Sequence, residues 1–209
     1  MVSTNKGRRC WCRIACASTG WGLNMKSDEA FNWLFLAGVG NSGDTHWQRR
    51  WRAEHPDSLW LEHRDWDNPD CEEWVADLQA LLEHQQQPVV VVAHSLGCLL
   101  LLEWAARHRS ERVRGAFLVA VPDPHSAQFP AEARGFRPAD QLASDFPITL
   151  VTSQNDPYGD LAYAQRSAHK LGCACANLGE LGHINGKSEL GYWDQGYNLL
   201  QSFAQSLSR

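Results

Sequence analysis

Apolar positions fall into short blocks separated by turn residues and by longer stretches of helical period. Residues 89–92 are four consecutive valines followed by Ala93, a pattern for a strand buried on both faces, since β-branched side chains suit a pleated surface and no polar face is kept for water. The pattern breaks at His94-Ser95-Leu96-Gly97. An apolar run over 98–104 without a turn residue follows, so a helix is expected to begin at the serine. Similar blocks at 31–37, 58–62, 113–121, 148–153 and 173–178 predict five further strands. Between them lie the helices. Thr45-His46-Trp47-Gln48 opens one, with Trp47 and Trp51 a turn apart on a core face. Asn68-Pro69 predicts an N-cap with proline at the first helical position, Asp70, Glu72 and Glu73 sit at the positive end, and Trp74, Leu78, Leu81 and Leu82 form one stripe. Leu161, Ala164, Ala168 and Leu171 mark a helix closed by Gly172, and Trp193, Tyr197, Leu200, Ala204 and Leu207 mark a last one.

Strands and helices alternating at this spacing predict an α/β fold: a mostly parallel sheet with helices on both faces and little or no cap. Functional side chains in such sheets collect in loops at the carboxyl ends of strands. Ser95, Asp156 and His183 each stand just past such an end, in the order Ser, Asp, His found in α/β-hydrolases. A serine hydroxyl needs a base within hydrogen-bond reach, and the imidazole needs an acceptor that fixes its tautomer. His183 and Asp156 are assigned those roles. Ala93-His94-Ser95-Leu96-Gly97 reads as a nucleophile elbow, in which small residues two before and two after the serine let strand and helix approach. The glycine-rich loop 38–43 follows the first strand, so the backbone N–H of Val39 or Gly40, together with that of Leu96, is expected to form the oxyanion hole. His94, His46 and Trp47 are the candidates for the substrate pocket. Asp160 and Asp123 compete with Asp156 as the acid, and residues 125–145, polar with Pro130 and Pro138, are expected to form a small lid or an irregular crossing over the site.

Composition narrows the function classes. At 209 residues, with 44% hydrophobic and 21% charged, the chain suits one well-cored domain, placed at 31–209. Residues 1–30 read as a disordered or non-native extension, with Met25 a candidate initiator and Arg13 interrupting what would otherwise resemble a secretory signal. Cys10, Cys12 and Cys16 lack a fourth metal ligand nearby, and no metal or cofactor is expected. A net charge of −5 without a basic stripe argues against nucleic acid, and no stretch reaches the roughly 20 apolar residues of a membrane span. Seven cysteines, an odd number, fit a reducing, cytoplasmic setting. Ten tryptophans read as core filling, with a few available to line an aromatic pocket.

Ala-His-Ser-Leu-Gly at 93–97, Asn-Asp-Pro-Tyr at 155–158, Gly-His-Ile-Asn at 182–185 and His-Trp at 46–47 together resemble the small serine hydrolases similar to retinoblastoma-binding protein nine. The resemblance runs from about Asn32 to the C-terminus. It implies a compact α/β-hydrolase fold acting on a small-molecule acyl substrate, with Ser95 as nucleophile, Asp156 as acid and His183 as base. The chain departs from wider hydrolase patterns by Ala37-Gly38 in place of His-Gly and by Ala93 in place of the first elbow glycine. The expectation is therefore hydrolysis of a small ester, thioester or amide through an acyl-enzyme. Transfer to an acceptor other than water and a catalytically weak protein-binding module are the alternatives.

Overall fold

A computed structural model describes residues 31–137 and 142–207; the extension at 1–30, with its cysteines and Met25, lies outside them. Six strands form one parallel sheet in the order β2-β1-β3-β4-β5-β6: β1 Asn32–Leu36, β2 Leu59–Trp60, β3 Val89–His94, β4 Val113–Val119, β5 Ile148–Thr152 and β6 Ala174–Asn177. The helices are α1 Trp47–Glu54, α2 Cys71–His84, α3 Leu96–Arg107, α4 Leu161–Leu171 and α5 Asp194–Leu207. Every block expected to be a strand is one. Most are a residue or more shorter than the apolar run. In β4 the cause is visible, since Ala120 adopts φ 56° and turns the chain out of the sheet.

Alternation along each strand divides the core. Leu34, Leu36, Val89, Val91 and Ala93 face α2, α3 and α4, whereas Phe35, Val90 and Val92 face Trp47 and Trp51 of α1 and Leu200 and Phe203 of α5. The four valines are thus buried on both faces because each face carries its own helical layer. Trp51 and Trp193 stack at 5.5 Å, and Trp47 joins them, so the aromatic residues of this layer fill core.

The start of α2 differs from expectation. Asn68 is drawn back by Asp65, whose carboxylate accepts its backbone and side-chain N–H, and Asp70 caps the helix instead by accepting from the N–H groups of Glu72 and Glu73. A carboxylate placed where the first turn exposes its free N–H groups is the stronger cap. Pro69 therefore lies outside the helix, its carbonyl accepting from the Arg134 N–H.

Candidate active site

β3 delivers Ser95 at φ 54° and ψ −124°, outside the conformations a non-glycine residue ordinarily takes, and α3 begins at the next residue. Such backbone costs on the order of 1–3 kcal/mol and persists only where its surroundings fix it. Here they do so on several sides. The Ser95 N–H donates to the Val119 carbonyl, and the first turn of α3 lies directly against the end of β1. A Cβ on Gly97 would stand 2.6 Å from the Leu36 oxygen and 2.7 Å from that of Ala37. The close approach thus falls on the second small residue of the elbow; at the first, Ala93 fits fully buried in register with Leu36.

The structure brings the three residues read from the sequence together. His183 Nε2 lies 2.8 Å from Ser95 Oγ, and its Nδ1 lies 2.9 Å from both carboxylate oxygens of Asp156. Asp156 is almost wholly buried and also accepts from the Tyr158 N–H. Asp160 spends its carboxylate on capping α4 at the Tyr163 N–H, and Asp123 accepts from the His125 N–H, so neither rival acid is engaged with His183.

Four residues with no positioning role assigned from the sequence hold these groups. Asn155 Oδ1 accepts from the Gly182 N–H at 2.7 Å and from Ser153 Oγ, which itself accepts from the Leu181 N–H, tying the loop that carries Asp156 to the loop that carries His183. Gln48, wholly buried, donates through Nε2 to the carbonyls of Leu36 and Val92 and accepts from the Ser42 hydroxyl. It seals the place where β1 and β3 part. A glutamine between Trp47 and Trp51 on a buried helical face was the available signal for it. Gly38 is the fourth: a Cβ there would lie 2.9 Å from Ser95 Cβ and 3.3 Å from the Leu96 nitrogen, which accounts for glycine at this point of the loop.

The oxyanion candidates separate. The Leu96 N–H opens α3 and has no partner within the helix, as for any first-turn amide. The Gly40 N–H donates to the Trp66 carbonyl at 2.9 Å and is spent there, a correction that leaves Val39, which lines the cleft beside Ser95. Trp47 is corrected too. It belongs to the core, 1% exposed, and its Nε1–H donates to the Ile184 carbonyl at 2.7 Å, anchoring the histidine loop from behind. His46 and His94 do line the cleft.

Both are held neutral. Burial, and after it the charges of His183 and Arg49, lower His46 to about 4. Its Nδ1 accepts from the Gln48 N–H as the cap of α1, which puts the proton on Nε2. Burial also drives His94 well below the ordinary histidine range, and its Nε2, facing the His183 carbonyl at 3.0 Å, must carry the proton. Cys98, three residues beyond the serine, is no rival nucleophile: burial pushes its thiol up and it donates to the Val119 carbonyl.

The cleft holds about 430 Å³ and is walled on one side by the loops after β1 and β6. On the other side stand Pro122, Phe129 and Pro130 from the segment after β4, and Tyr158 from the loop after β5. The crossing expected at 125–145 is thus irregular and contributes a wall; its residues 138–141 lie outside those described. Among the described residues no cluster of three or more His, Cys, Asp or Glu side chains is arranged to hold a metal ion, and no helix is long and apolar enough to cross a membrane.

A family model described as serine hydrolase matches residues 33–202. Among solved structures, a protein described as a YdeN-like hydrolase from Pectobacterium atrosepticum is 29% identical, with 85% of this chain and 92% of that chain covered and a TM-score of 0.75. The ydeN gene product of B. subtilis is 16% identical over 83% of this chain and 98% of its own, with a TM-score of 0.70. The type II thioesterase BorB of the borrelidin biosynthetic cluster is 18% identical over 87% and 93%, with a TM-score of 0.59. The architecture is that of the α/β-hydrolases. No curated protein sequence matches the chain.

Proposed function

Because the chain belongs to the serine hydrolase family, we propose that it hydrolyses a small acyl compound, an ester, thioester or amide, through Ser95, His183 and Asp156. The observation that carries this reading is the continuous contact from Ser95 Oγ to His183 Nε2 and from His183 Nδ1 to Asp156. Ser95 Oγ attacks the acyl carbon while His183 Nε2 takes its proton, and Asp156 stabilises the imidazolium that results. Negative charge gathers on the carbonyl oxygen, where the N–H groups of Leu96 and Val39 receive it. The bond from the acyl carbon to the leaving oxygen, sulfur or nitrogen then breaks, and His183 returns the proton to that atom. A water molecule, deprotonated by His183, releases the acid and restores the serine.

Several hydrolases with this architecture are named as esterases or thioesterases, which supports the substrate range without choosing within it. The free thiols of Cys71, Cys98, Cys173 and Cys175 suit a reducing, cytoplasmic setting. A fluorophosphonate probe is expected to label the wild type and to leave Ser95→Ala unlabelled, with hydrolysis of p-nitrophenyl esters lost in the same variant. Equal labelling of the two proteins would refute the reading.

A further inference from the structure

We propose that the cleft is built for a substrate whose leaving group is negatively charged, with Lys187 as the residue that selects it and an apolar acyl group opposite. The inference rests on the serine-hydrolase reading above and concerns what that site accepts. Its two walls differ in chemistry. Pro122, Phe129, Pro130 and Tyr158 present apolar surface. The facing wall carries Thr45, Asn185 and Lys187, and its two loops meet there: a Cβ on Gly186 would stand 3.8 Å from Thr45 Oγ1.

Lys187 is the one lining residue with a permanent charge, and no aspartate or glutamate lines the cleft. Its ammonium enters none of the ion pairs among the described residues. Asp44, the acid nearest in the Thr45 loop, lines a separate groove with Arg49, Arg50 and Arg52. Within the lining of the cleft no carboxylate opposes that cation.

Proton transfer decides which part of the substrate meets it. The leaving atom must come within reach of His183 Nε2 to receive its proton, and Lys187 lies four residues further along the same loop, fixed there by the bond from its backbone N–H to Asn185 Oδ1. A group protonated by His183 thus leaves beside the loop that carries the ammonium, and the acyl chain is assigned to the wall of Phe129 and Pro130. A charge pair at a solvent-open rim is worth a few tenths to about 1 kcal/mol, or roughly 2- to 5-fold in rate constant. Lys187 would accordingly bias turnover between substrates without setting its absolute level.

The test is a matched pair of butyryl thioesters, one of 3-mercaptopropionate, whose leaving group carries a carboxylate, and one of N-acetylcysteamine, whose leaving group carries no charge. Acylation of Ser95 is followed by mass spectrometry and turnover by kcat/KM. Wild type is expected to favour the mercaptopropionate ester 2- to 5-fold at low salt. The ratio should fall to about one in Lys187→Ala and below one in Lys187→Glu. A wild-type ratio of one, a preference unchanged in Lys187→Ala, or failure of both thioesters to acylate a serine that fluorophosphonate labels would each overturn the inference while leaving the nucleophile assignment intact. Absence of fluorophosphonate labelling would instead remove the reading on which it rests.

Discussion

Replacing His46 with asparagine should make the fold less sensitive to acid, because burial keeps this imidazole neutral in the fold. A histidine whose value falls from 6.5 in the unfolded chain to about 4 in the fold binds its proton more tightly when unfolded. Its contribution is complete above pH 6.5 and is lost as the pH falls from there toward 4. At 1.36 kcal/mol for each unit of difference, a site still neutral at pH 5 has given up about 2 kcal/mol of stability relative to pH 7 or above. Asparagine keeps a side-chain acceptor for the Gln48 N–H, as a good N-cap residue, and cannot titrate. Urea unfolding in reducing buffer at pH 7 and pH 5 gives the relevant double difference, in which titrating groups remote from His46 cancel. His46→Asn should lose about 2 kcal/mol less than wild type between those pH values, with any repacking cost beside Trp47 and His94 appearing equally at both. His94, whose charged form is opposed in part by His46, reinforces the sign when that neighbour is removed. Parallel pH profiles for the two proteins would refute the reasoning.

Gly97→Ala would drive a methyl group into the backbone carbonyls of Leu36 and Ala37 at the end of β1, so a loss of at least about 1–3 kcal/mol is expected, read as a lower thermal midpoint. Gly38→Ala meets the side chain of Ser95 itself, and hydrolysis of p-nitrophenyl esters should fall at least tenfold with only a small change in melting temperature. For His94, glutamine can supply an N–H in place of Nε2 while phenylalanine cannot. kcat should therefore fall roughly tenfold in His94→Phe and recover substantially in His94→Gln, with KM nearly constant, if the bond to the His183 carbonyl holds the base in place.

The sheet and the meeting of Ser95, Asp156 and His183 were legible because they leave local marks. Four valines can satisfy both faces of a strand only inside a layered fold, and Asp156 and His183 each follow an apolar block at a turn, where a parallel sheet places its loops. What could not be read was which hydrogen bond each candidate would spend elsewhere. The N–H of Gly40 is lost to the Trp66 carbonyl, 26 residues along the chain, and Trp47 is claimed by a core that includes Trp193, just ahead of the C-terminal helix. Capping failed for a related reason, since Asn68 and Asp70 are both good cap residues and the contest turned on Asp65 drawing Asn68 back. Asn155 and Gln48 act entirely through partners distant in sequence, so composition and period carry no trace of their work beyond a polar residue in an apolar setting.

The serine belongs to the helix packed on one face of the sheet, whereas the histidine loop is pinned by Trp47 from the other. Each face has its own hydrophobic cluster, and the 2.8 Å between Ser95 Oγ and His183 Nε2 spans the seam between them. That separation acts as a strain gauge for the molecule. A slip of a few tenths of an ångström between the two layers, too small to register as unfolding, would be reported at once as a change in turnover.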